Sequence, residues 1–139
     1  MRSSSSTRGL IVAAAGGAGG TPSGELEKLR FLTPELAEAV ASKFGTPTYV
    51  YDMGTLTAQA KQALAFPNAF GLTVRYAMKA SPNAAILKLF NSLGLQVDAS
   101  SGYEIQRAMR AGVPASHISL SSQELPPDFD KYVAQGVQI

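Results

Sequence analysis

The stretch VRYAMKASPNAAILKLF, residues 74–90, decides how the rest of the chain is read. It opens on a β-prone run and places a lysine, Lys79, at the end of it. It then passes at once through Ser81-Pro82 into an apolar pattern of helical period, with Ile86, Leu89, Phe90 and Leu93 on one face and Gly94 as the stop. Ser81 is the expected N-cap and Pro82 the expected first-turn residue. A strand that hands over directly to a helix is half of a βαβ unit.

Working outward, the same order of signals recurs. TVRYAMKA, LQVDASS and HISLSS, beginning at Thr73, Leu95 and His117, are β-prone segments about 22 residues apart, and VQI opens a fourth at Val137. Between them, SGYEIQRAMRAG carries a Ser101/Glu104 capping box, an inner stripe of Ile105, Ala108 and Met109, and Gly112 as its end. PPDFDKYVAQG reads as a third, less regular helix. Short strands alternating with helices imply a parallel sheet with right-handed crossovers. Repetition at a near-constant interval favours an α/β fold of the partial (β/α)8 TIM-barrel kind, the N-terminal half only. Upstream, TPELAEAVASKFG predicts a helix capped by Thr33, started by Pro34 and closed by Gly45, with Leu36, Val40 and Phe44 on one face. TPTYVYD follows as a strand, and TLTAQAKQALAF as a helix with Leu56, Ala60 and Leu64 on one side.

Composition narrows the function. The 139 residues hold 12 Lys and Arg against 10 Asp and Glu, and two of the basic residues, Arg2 and Arg8, precede the first acid, Glu25. Basic residues scattered among acids, without an aromatic stacking pattern, argue against nucleic acid as a partner. Absence of cysteine excludes disulfides and thiolate metal sites, and a single histidine cannot build a metal cluster. No run reaches the roughly 18 apolar residues of a membrane span, so no membrane role is expected. Residues 1–24 are rich in Ser, Ala and Gly and lack acids, so a disordered extension is expected there, with residues 25–139 as the folded portion. That extension has the composition of an organelle transit peptide, its GLIVAAA run would suit a weak secretory signal, and an untargeted floppy terminus fits equally. The expected compartment is the cytoplasm, with a plastid or other organelle as the targeted reading.

In a β/α barrel, chemistry gathers where the strands end. Lys79 ends the first strand of the series, Asp98 lies late in the second, and Ser121 and Ser122 end the third, so they are expected to share one rim. Such a lysine is either a rim residue whose stem lies along apolar surface or a desolvated amine that condenses with a carbonyl. Spacing alone does not choose.

RYAMKASPNAAILKLF followed by GLQVDASSGYEIQRAMRAGVP resembles the N-terminal half-barrel of the fold-type III pyridoxal-phosphate decarboxylases. That family comprises the diaminopimelate, ornithine and arginine decarboxylases and is related in fold to alanine racemase. GTPTYVYD looks like the segment that leads into their barrel, so the likeness runs from about Gly45 to Ile139. The resemblance implies pyridoxal 5′-phosphate as cofactor, Lys79 as the residue that condenses with its aldehyde, Tyr76 and Ala77 in the strand beneath, and Asp98 near the ring or the lysine. It implies an amino-acid substrate and a homodimer in full-length form. GTPTYVYD and SPNAAILKLF look closest to the diaminopimelate type, with meso-diaminopimelate yielding lysine. The alternatives are an ornithine or arginine decarboxylase, an amino-acid racemase, or a non-catalytic relative that binds and regulates a homologue. Ser101, Gly102 and Glu104 match the family's second motif, yet a capping box accounts for Ser101 and Glu104 without any ligand. His117 is not expected to inherit the stacking role of a family histidine that comes from a later strand. Ser81 where the family commonly has asparagine, Tyr103 where a small residue is common, and LSSQELP at the third strand end depart from the pattern. Because the series stops in the expected fourth strand, the chain is expected to be a fragment with an open sheet edge and little activity by itself.

Overall fold

The computed structural model describes residues 10–14 and 31–139, which fall into two units, 1–54 and 55–139. In the first, β1 (Leu10–Ala14) pairs antiparallel with β2 (Thr48–Asp52), from Leu10 opposite Asp52 to Ala14 opposite Thr48. Residues 1–24 were expected to be a disordered extension; within them LIVAA, a β-compatible run, forms β1 against β2. The remainder of that segment lies outside the described residues. Helix α1 (Pro34–Phe44) starts as its sequence dictates, with the Thr33 hydroxyl accepting from the Leu36 N–H at 3.2 Å and Pro34 in the first turn. The Glu35 carboxyl is held below the usual carboxylate range by hydrogen bonds to its own backbone N–H and to Thr33. Val40 is buried as expected, but Phe44 remains 47% exposed. The last residue of a helix has no further turn to cover it, and the Phe44 ring instead lies 5.3 Å beneath the Lys43 ammonium.

The second unit is a β/α layer. After α2 (Met53–Leu64) come β3 (Arg75–Ala77), α3 (Ala84–Ser92), β4 (Gln96–Ala99), α4 (Gly102–Arg110), β5 (Ile118–Leu120) and α5 (Phe129–Ala134). The three strands form a parallel sheet in the order β3-β4-β5. Val137 was expected to open a fourth strand; Gln138 makes an isolated parallel bridge to Ser119, with Leu120 N–H donating to Gln138 O and Gln138 N–H to Ile118 O. The sheet has two unlike faces. Val97 opposes Ile118 and Ala99 opposes Leu120, all four buried, and they pack with Leu87 of α3 and with Ile105 and Ala108 of α4. One residue out of phase, Ala77, Asp98 and Ser119 lie in register on the opposite, polar face. Fully burying each Val, Leu or Ile on the first face contributes about 1.5–3 kcal/mol, which fixes the register and thereby fixes Asp98 on the second.

Helices α3, α4 and α5 end the same way. At the end of α3, the N–H of Gly94 donates to Asn91 O and that of Leu95 to Phe90 O, with Gly94 at φ +105°, a left-handed conformation that side chains with a Cβ resist. Gly112 with Val113 closes α4, and Gly136 with Val137 closes α5, by the same pair of bonds. The apolar residue that follows each glycine is buried.

The start of α3 corrects the sequence expectation. Ser81 is extended, and the cap is Asn83, whose Oδ1 accepts from the Ala85 N–H at 2.9 Å. The helix begins at Ala84 and not at Pro82, so the role falls to Asn83, the residue immediately before it, and Ser81 lies outside the helix. Leu87 is fully buried although the pattern omitted it. Asn83→Ala is therefore expected to lower stability by about 1 kcal/mol in urea denaturation, whereas Ser81→Ala should change it by less than about 0.5 kcal/mol. Equal losses would return the cap to Ser81.

Candidate active site

The carboxyl ends of β3, β4 and β5 bring the candidate residues to one edge of the sheet. Lys79 was expected to end its strand; β3 in fact stops at Ala77, and Lys79 sits in the 3-10 turn Met78–Ala80 that follows. Met78 is fully buried in the core, and its neighbour Lys79 is exposed, so the amine is not enclosed in the helix-covered layer. Two contacts hold the turn's far side. The Tyr76 ring packs edge-on against Phe90 with centroids 4.8 Å apart, and its hydroxyl donates to Ser81 O at 3.3 Å. From α4, Arg107 Nε donates to Pro82 O at 3.1 Å. The short segment carrying the lysine is thus tied at both ends.

Asp98 lies in β4, beside Ala77 on one hand and Ser119 on the other. Half-buried, it accepts a 2.6 Å hydrogen bond at Oδ1 from the hydroxyl of Ser121. Ser121 and Ser122 fall just past β5, which ends at Leu120, but the Ser121 N–H still donates to Ala99 O at 2.9 Å and continues the ladder. The capping box predicted at α4 is present with one change. Ser101 Oγ accepts from the Glu104 N–H at 3.3 Å, while Glu104 Oε2 accepts from the N–H and hydroxyl of Ser100 rather than from Ser101. Ser101 and Glu104 are therefore engaged with the backbone.

Gly102 is buried at the head of α4, where an added Cβ would come within 3.0 Å of Pro126 Cβ and 3.3 Å of Tyr132 Cε2. The glycine lets α5 seat Tyr132, whose hydroxyl accepts from Gln106 Nε2 at 2.8 Å and donates to Gly102 O at 3.4 Å. An open cleft of about 420 Å³ lies against this contact, bordered by Ser101, Tyr103, Ser122 and Leu125. His117 stands away from the rim, in the turn before β5, with its Nδ1 accepting from Asn91 Nδ2 at 3.0 Å. Among the described residues no group of His, Cys, Asp and Glu could hold a metal ion, and no helix is long and apolar enough to cross a membrane.

An exposed lysine on a pinned turn, next to a strand that offers a carboxylate, suits the attachment end of a carbonyl cofactor. The sequence indicated Lys79 and Asp98 from their positions in the repeat. Nothing in it signalled the Ser121 hydrogen bond or the Arg107 tie, which join residues 23 and 25 positions apart.

A parallel β/α layer with its polar side chains at the strand ends defines the class of protein in which loops, not the sheet, carry the chemistry. Within that class the chain belongs to the pyridoxal-dependent decarboxylases: the model of their pyridoxal-binding domain matches residues 53–137. Diaminopimelate decarboxylase of Zymomonas mobilis is 39% identical over 85 residues, covering 59% of this chain and 20% of that protein. The Streptomyces coelicolor protein of the same name is 43% identical over 79 residues, covering 57% and 17% respectively. That of Neisseria meningitidis serogroup A is 45% identical over 89 residues, covering 63% and 21%. A crystal structure of diaminopimelate decarboxylase from M. jannaschi aligns with a TM-score of 0.49 at 25% identity, over 72% of this chain and 24% of that one. The chain spans about a fifth of the length of the curated relatives it matches.

Proposed function

We propose that this chain is the cofactor-attaching part of a (β/α)8-barrel enzyme that decarboxylates a diamino acid, meso-diaminopimelate being the substrate that the relatives' names favour. The consecutive strand order β3-β4-β5 and the bridge at Gln138 support a sheet that curls onward strand by strand. So does the polar face, where Gln96 Oε1 is buried without a partner among the described residues, as it would be if further strands were to face it. The observation that carries the reading is Lys79, exposed on a turn pinned by Tyr76 and Arg107 directly after a strand of the family-matched region.

In this reading Lys79 attaches the cofactor through its amine, Asp98 sets the charge beside it, and Tyr76 and Arg107 keep the turn from moving as groups exchange on the lysine. Pyridoxal phosphate, when bound, supplies the electron sink that lets carbon dioxide leave. Pairing of two full-length copies belongs to the same reading, as does residence in the cytoplasm or an organelle.

The test is selectivity among lysines. The chain is incubated with pyridoxal 5′-phosphate, reduced with borohydride and mapped by mass spectrometry. The pyridoxyl group is expected mainly on Lys79, with Lys43, Lys61, Lys88 and Lys131, which are exposed too, and Lys28 near background. Even labelling of all six would sink the assignment.

A further inference from the structure

We propose that Ser121 is a positioning residue for the cofactor site, acting through Asp98. The inference rests on the reading of Lys79 as the attachment point. A carboxylate turns easily about its last side-chain torsion. The 2.6 Å bond from the Ser121 hydroxyl ties Oδ1, while Oδ2 has no hydrogen-bond partner among the described residues. One oxygen is thus spoken for, and the other stays available to a positive nitrogen or an N–H at the rim. Ser121 itself is held, because its backbone N–H donates to Ala99 O on the strand that carries Asp98.

A structural role explains this bond poorly. Main-chain bonds already join β5 to β4 at this point, so the hydroxyl adds no missing strand pairing. Ser121 is exposed and contributes nothing to the buried core. What the hydroxyl does alter is the direction of a charge, on the face and at the edge where the Lys79 turn begins, one residue past Ala77, the register neighbour of Asp98. The 420 Å³ cleft is a weaker candidate for a site, because Ser101, Ser122, Gln106 and Tyr132 along its wall already bond to one another or to the backbone.

The experiment measures the rate of borohydride-trapped pyridoxyl labelling at Lys79, relative to the other lysines, from pH 6 to pH 9. Ser121→Ala is expected to slow Lys79 labelling about tenfold and to change its pH profile, without altering the urea midpoint or labelling elsewhere. Ser121→Thr, which keeps the hydroxyl, should restore the rate. In an Asp98→Ala background Ser121→Ala should have no further effect, because the hydroxyl acts only through that carboxylate. Wild-type selectivity for Lys79 with no effect of Ser121→Ala overturns this inference and leaves the attachment reading standing. Wild-type labelling spread evenly over the lysines overturns both.

Discussion

Lys79→Arg is expected to abolish pyridoxyl labelling at position 79 while leaving the urea midpoint within about 0.5 kcal/mol of the parent. The two halves of that result have separate causes. The side chain is exposed and stands beside the core rather than in it, with Met78 filling the buried position, so exchanging one long cation for another removes no packing. A guanidinium, however, stays protonated in proteins and offers no neutral nitrogen to an aldehyde. The loss should therefore be complete. Peptide mapping after borohydride reduction reads the first half and urea denaturation the second. Persistent labelling of the remaining lysines at the parental total would mean that no selective attachment point exists.

Ile105→Ala carries the largest expected cost in stability, about 2–5 kcal/mol. Ile105 is fully buried where α4 meets the apolar face of the sheet, in one cluster with Val97, Ile118 and Leu87. Truncation to Cβ removes its transfer energy and leaves a void that strands fixed by their ladder cannot close. Against a total stability of roughly 5–15 kcal/mol for an ordinary domain, such a loss takes a large share of the margin. Val133→Ala on α5, where the side chain is 44% exposed, should cost less than about 0.5 kcal/mol and serves as the control. Similar midpoints for the two variants would mean that the core is not where the burial places it.

Much of the second unit was legible because its signals are local. Ser101 and Glu104 lie three residues apart and announce the start of α4; Gly94 and Gly112 announce ends; the β-prone runs keep their interval. These features need only neighbouring residues to be recognised, and they placed Lys79 and Asp98 at one edge. The start of α3 was read two residues early: the helix begins at Ala84, and Asn83, a residue type that caps as well as serine does, stands immediately before it. The strand expected to reach Lys79 ended two residues sooner, at Ala77, where the 3-10 turn Met78–Ala80 takes over. Tyr132 over Gly102, Arg107 to Pro82 and Ser121 to Asp98 were not legible. Each joins residues more than twenty positions apart, and no pattern within a window of helical length contains both partners.

The paired main-chain bonds that close α3, α4 and α5 have a consequence for how such a chain emerges during translation. Every closure needs only the last turn of a helix, one glycine and the apolar residue after it, so it can form before the next strand has left the ribosomal tunnel. The direction in which the chain leaves each helix is thus set by residues within a single turn of it, whatever is synthesised afterwards.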